Sequence, residues 1–152
     1  MQMIPRHDPY LVVRSIGGDT VAALRGELDL VLVRHLRPEL DALVRESDAL
    51  TVDIRRLTFC DATGLGLLAH CAGRTRQRDA RWRLVCDQPW IIRLIRLTAL
   101  GDLLCPEAAQ PDGPESRFEP WPGSQPELLD PVDQKGPEEP RPSDPGVIRP
   151  VS

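Results

Sequence analysis

The order of apolar patterns along this chain predicts an α/β domain with a mixed sheet of four to five strands, opened by a β-hairpin and covered by helices. Three observations carry the expectation. Two β-rich runs lie close together near the start, segments of strand period then alternate with segments of helical period, and the apolar patterning stops near Cys105.

The first run, Tyr10 to Ile16, and the second, Thr20 to Leu28, are joined by Gly17-Gly18-Asp19, where glycine supplies the positive φ of a tight turn. Leu32, Leu36, Leu40 and Leu43 recur at helical spacing, so a helix is expected over about Val31 to Glu46. Pro38 lies inside it and predicts either a start nearer Arg37 or a kink. Leu50 to Arg55 alternates apolar and polar residues and continues through Leu57 as a strand. A helix follows, with Leu65, Leu68 and Ala72 on its apolar face and Leu67 and Cys71 widening it. Trp82, Leu84 and Cys86 alternate with Arg81, Arg83 and Val85 as a further strand. Asp87 is the expected cap of a last helix that has Pro89 in its first turn and ends at Gly101, and Asp102-Leu103-Leu104 is expected to dock on the sheet. Parallel strands joined by helices take right-handed crossovers, which fixes the hand of the arrangement.

Composition divides the chain into a folded part, residues 1 to 105, and a Pro-rich acidic tail, residues 106 to 152. Twelve of the 16 prolines follow Cys105, and there ten acidic residues face four basic ones. The tail is therefore about −6 against +2 for the rest. Its apolar residues, Phe118 and Trp121 among them, follow no period, so it is expected to be disordered. No apolar run reaches the roughly 20 residues of a bilayer span, which predicts a soluble protein with no membrane partner. Cys60, Cys71, Cys86 and Cys105 form no CxxC pair, and the start shows no signal-peptide pattern; buried free thiols, no metal site and a cytoplasmic location are expected. Arg74, Arg76, Arg78, Arg81 and Arg83 cluster without interleaved aromatics in a domain of small net charge, so they read as a solvated helix end and no nucleic acid is expected.

The stretch Thr58 to His70, TFCDATGLGLLAH, links a strand to a helix. Gly64, Gly66 and Ala69 fit GxGxxA, and Asp87 lies about 20 residues beyond, as in a dinucleotide site. The motif sits deep in the chain with only one strand expected after it, so neither a second nucleotide-binding half nor a cofactor is expected. Asp61 or Thr63 can cap the helix. A nucleophile built from Cys60 or Cys71 with His70 is disfavoured, because consecutive helical residues do not face each other.

Gly26-Glu27-Leu28-Asp29-Leu30, Phe59 to Gly66, and Leu94 to Leu104 resemble the successive landmarks of STAS domains, specifically bacterial anti-sigma factor antagonists, over about residues 10 to 105. The resemblance implies a regulatory protein rather than an enzyme. It would bind an anti-sigma factor with serine/threonine kinase activity, free the sigma factor, and be reset by a phosphatase, as a monomer or weak dimer in a stress response. Family members typically show D-S-[S/T]-G-[LIVM], and Asp61-Ala62-Thr63-Gly64-Leu65 stands at those positions. Thr63 thus falls on the phosphoacceptor, and Asp29, Asp61, Ala62, Thr63, Gly64 and Leu65 on the partner-binding surface. Ala62 departs from the usual hydroxyl residue, and threonine in place of serine stiffens χ1 at the acceptor. A non-switching STAS scaffold whose tail recruits a partner is the alternative.

Overall fold

The computed structural model describes residues 8–117. Strand β1 (Leu11–Ile16) and strand β2 (Asp19–Leu28) pair antiparallel through a two-residue turn in which Gly17 and Gly18 take φ of 55° and 90°. Both values lie where a side chain is strained, and this turn matches the twist of the strands it joins. Helix α1 (Leu30–Glu46) leads to β3 (Ala49–Cys60), and helix α2 (Ala62–Gln77) to β4 (Arg81–Val85). Helices α3 (Pro89–Leu97) and α4 (Gly101–Leu104) precede a two-residue strand β5 (Pro106–Glu107) and a 3₁₀ turn at Pro114–Arg117. The sheet order is β1-β2-β3-β4-β5, and every pair after the hairpin is parallel.

The predicted elements are present, with four differences. Helix α1 runs through Pro38, because Leu36 and Leu40 on either side of it, with Leu43 and Val44, are buried and hold the helix where one donor is missing. Asp87 is exposed and caps nothing; Gln88 takes the N-cap position of α3. Gly101 does not end α3: the helix stops at Leu97, Ala99 turns the chain at φ 58°, and Gly101 opens α4, which packs on α2 and α3. The order in the chain also extends beyond Cys105, to residue 117, and the rest of the tail, including Phe118 and Trp121, lies outside the described residues.

Alternation places Ala22, Leu24, Leu50, Val52 and Leu84 on one sheet face, where they join Leu36, Leu40, Leu65, Leu68, Ile91, Ile95 and Leu104 in a single core. The opposite face carries Val21, Ala23, Thr51, Asp53 and Val85, also buried. Asp53 is paired there by Arg55, whose guanidinium returns two hydrogen bonds of 3.0 and 2.8 Å. The 3₁₀ turn packs on β2 and β3 and brings Glu115, whose side chain is fully buried, against Arg83. Arg83 donates to both Glu115 oxygens and to Glu107, and the Gln110 N–H donates to Glu115 at 2.8 Å. Burial alone would raise the Glu115 carboxyl, but the hydrogen bonds from Arg83 and from backbone N–H groups outweigh it and hold the carboxyl at about 2.

This segment is thus pinned by charge rather than by apolar area, which is why composition assigned it to the tail. The rest of the Arg cluster is exposed, as expected, and three of its members also make contacts within the domain: Arg78 donates to the Val44 and Ser47 carbonyls, Arg81 pairs with Asp19 at 3.6 Å, and Arg76 reaches Cys105 at 3.5 Å.

Glu115→Ala leaves the half-buried Arg83 with only Glu107, so the chain should lose roughly 3 kcal/mol of stability in urea unfolding, whereas an exposed tail residue would cost nothing measurable. The Glu115 carboxyl is depressed in the fold, so its contribution is complete above its ordinary value of 4.5 and is lost as pH falls toward 2. Acid titration of wild type against Glu115→Gln should show this extra loss only in wild type.

Candidate functional site

Strands β2 and β3 end side by side, with Leu28 opposite Cys60. Each is followed at once by an aspartate and a helix. Asp29 caps α1 by accepting from the Leu32 N–H at 3.0 Å, and Asp61 caps α2 by accepting from the Gly64 N–H at 3.0 Å. The Asp61 N–H in turn reaches the Leu28 carbonyl at 3.5 Å. Two helix N-termini therefore open on one edge of the sheet, at the carboxyl ends of parallel strands, where α/β folds place their binding sites.

Ala62 and Thr63 are the first two residues of α2, and both are exposed. Thr63 is not the cap, because Asp61 already fills that place. Its hydroxyl makes no hydrogen bond among the described residues. Since the Gly64 and Leu65 N–H groups are taken by Asp61, the amides of Ala62 and Thr63 are the ones left at the positive end of the helix. Leu65 is buried and anchors the turn in the core.

Gly64 explains how the two loops come together. A Cβ here would lie 2.5 Å from the Leu28 carbonyl oxygen and 2.9 Å from both the Cys60 Sγ and the Leu28 Cγ. The first turn of α2 can rest on the end of β2 only without a side chain at this position. Gly66 is different: it is exposed inside the helix, and a Cβ there meets nothing. The GxGxxA resemblance thus dissolves into one packing glycine and one surface glycine, and Asp87 stands exposed after β4, beyond the edge of the pattern it was read into.

Cys60 lies beneath this turn with its thiol pushed up to about 12, first by burial and then by Asp61. Burial does the same to Cys71, while Cys105 is exposed, against expectation. His70 is half-buried and reaches Asp41 on α1 at 3.3 Å, so it braces two helices.

Three exposed apolar residues rim the site that pattern reading passed over: Leu30 and Val31, the first two residues of α1, and Phe59, which pairs with Glu27 on β2. Val31 is 76% exposed. Their signal was present, since Leu30 and Val31 fall outside the Leu32, Leu36, Leu40 stripe, but an apolar pair at a helix start reads as core until the cap is located.

A family described as "Mlab, STAS domain" matches residues 12–105. The chain belongs to the STAS domain family. Among solved structures, this STAS domain is similar to an anti-sigma factor antagonist from Mycobacterium paratuberculosis, with 25% identity, a TM-score of 0.62, and coverage of 67% of this chain and 87% of that one. It also resembles Bacillus SpoIIAA in its phosphorylated form, with 20% identity, a TM-score of 0.56, and coverage of 72% and 99%. The unphosphorylated SpoIIAA gives 20% identity, a TM-score of 0.59, and coverage of 70% and 94%. At that identity the SpoIIAA likeness establishes the STAS fold alone. No curated protein matches the chain significantly.

Gly64→Ala should destabilise the STAS domain by about 2 kcal/mol, the cost of overpacking a tight contact. Gly66→Ala should be neutral or stabilise by up to about 1 kcal/mol, as expected for an open helical position. Urea midpoints of the two variants, measured together, separate the two glycines.

Proposed function

We propose that this STAS domain is an anti-sigma factor antagonist: it binds an anti-sigma factor with kinase activity, so that the sigma factor is freed, and phosphorylation of Thr63 ends that binding. The observation that carries the reading is the exposed, unengaged Thr63 hydroxyl in the first turn of α2, two residues after the capping Asp61 and at the sheet edge where Asp29 caps α1. The likeness to a mycobacterial anti-sigma factor antagonist supports the partner class.

The chemistry of the switch follows from the surroundings of Thr63. A phosphoryl group transferred from ATP to its Oγ would bring about −1.5 to −2 of charge to a helix N-terminus, where the dipole and the Ala62 and Thr63 amides favour an anion. The helix would keep its shape. What would change is the surface, because the new charge would stand beside Asp29 and Asp61 and next to Leu30, Val31 and Phe59. A partner burying those apolar groups would have to desolvate a dianion, and an acidic partner surface would also be repelled. In this reading the chain is the substrate of a kinase and a phosphatase and catalyses nothing itself.

Asp29 and Asp61 act in this scheme by fixing the two N-termini, and Ala62, Gly64 and Leu65 by setting the height of Thr63 above the sheet. A scaffold that recruits its partner through the tail, with Thr63 outside the interface, would not respond to charge at residue 63.

Pull-down with the full chain should retain an ATP-binding anti-sigma factor, and incubation of the pair with ATP should add one phosphate, mapped to Thr63 by fragmentation mass spectrometry. Thr63→Ala should bind as wild type does and take up no phosphate, and Thr63→Asp should bind at least about tenfold more weakly. Equal binding by Thr63→Asp would sink the charge switch in favour of the scaffold.

A further inference from the structure

Strand β3 is longer than the strand beside it. Its pairing with β4 ends at Asp53 opposite Val85, whereas on its other side β2 accompanies it to Cys60. The β2 pairing is also irregular here: β3 carries an extra residue between Asp53 and Arg56 and another between Leu57 and Phe59. Such bulges re-aim side chains and leave backbone groups without ladder partners. The carbonyls of Ile54 and Leu57 face the side that β4 has vacated.

Gln88 meets both. Its Nε2 donates to the Ile54 carbonyl at 2.7 Å and to the Leu57 carbonyl at 3.1 Å. Its Oε1 accepts from the Asp87 N–H at 3.3 Å and from the Cys86 thiol at 3.5 Å. Two donors and two acceptor contacts use the whole carboxamide, and only this orientation of the amide satisfies them, since a reversed one would set NH₂ against an N–H. Although Gln88 stands at the N-cap position of α3, its side chain caps nothing on its own helix.

We infer that Gln88 is a positioning residue for the partner-binding surface: its carboxamide replaces the missing strand along the bulged end of β3 and fixes the segment that presents Phe59, Asp61 and Thr63. The inference rests on the proposed function for what the segment binds, but not for the clamp itself. Without the two donors, the Ile54 and Leu57 carbonyls must find water, and the strand end leading to Asp61 gains room to move. Shape and polarity alone do not substitute. Glutamate has nearly the same shape but points a carboxylate at two carbonyls, while methionine keeps the length and is neutral.

Hydrogen exchange of the full chain, read by mass spectrometry, tests the clamp without any partner. Gln88→Met should speed exchange of the peptide spanning residues 54–63 by about tenfold and Gln88→Glu by more, with α1 and the β1–β2 hairpin unchanged. A residue that merely filled space at this half-buried position would give the reverse order. No acceleration in either variant, or acceleration spread evenly over the domain, overturns the clamp. The second arm measures, by calorimetry, the affinity of the anti-sigma factor retained by wild type. Gln88→Met should weaken it by about tenfold, tracking the exchange. Faster exchange with unchanged affinity overturns the positioning role, whereas failure of wild type to bind an anti-sigma factor refutes the proposed function and leaves the exchange result standing.

Discussion

The site depends on how near the first turn of α2 comes to the end of β2. The Leu28 carbonyl and the Gly64 Cα are so close that no methyl group fits between them, and that single approach sets the spacing of two helix N-termini. Asp29 and Asp61 then become equivalent: each ends a parallel strand, each caps a helix, and their loops are neighbours because the strands are paired through Leu28 and Cys60. Thr63 stands on this platform without taking part in it. A residue whose side chain does no structural work can carry a new charge at little cost to the fold.

Much of this was legible in the sequence. Strand and helix periods located the first six elements: helices α1 and α2 bury one stripe each, and β2 and β3, buried on both faces over their middle, still read as short β-rich runs. The Asp-x-Thr-Gly order placed Thr63 near a helix start and left the cap open between Asp61 and Thr63, since aspartate and threonine are both good N-caps and their distance from the helix start decides between them. Ala99 and Gln88 were illegible for a different reason. An alanine at positive φ and a glutamine turned away from its own helix both answer to the tertiary surroundings, which no local pattern records.

The segment after Cys105 shows the limit of composition. Proline and acid read as disorder because they bury little apolar area, yet Pro106 to Arg117 is held by one guanidinium that engages two carboxylates. That arrangement also settles why Arg83 can lie on a buried sheet face. Charge on the sheet and charge on the strap each make sense only with the other present, and a reading that sums the two regions separately finds an excess of base in one and of acid in the other.

The thiol under the Thr63 turn has a bearing on which signals can reach this surface. Oxidants and electrophiles attack the thiolate, and burial, with Asp61 beside it, pushes the Cys60 thiol up to about 12 and so keeps it protonated at neutral pH. Cys60 is also shielded by the turn above it, with only 4% of its surface accessible. The cysteine under the Thr63 turn thus offers oxidants neither an exposed sulfur nor a ready thiolate.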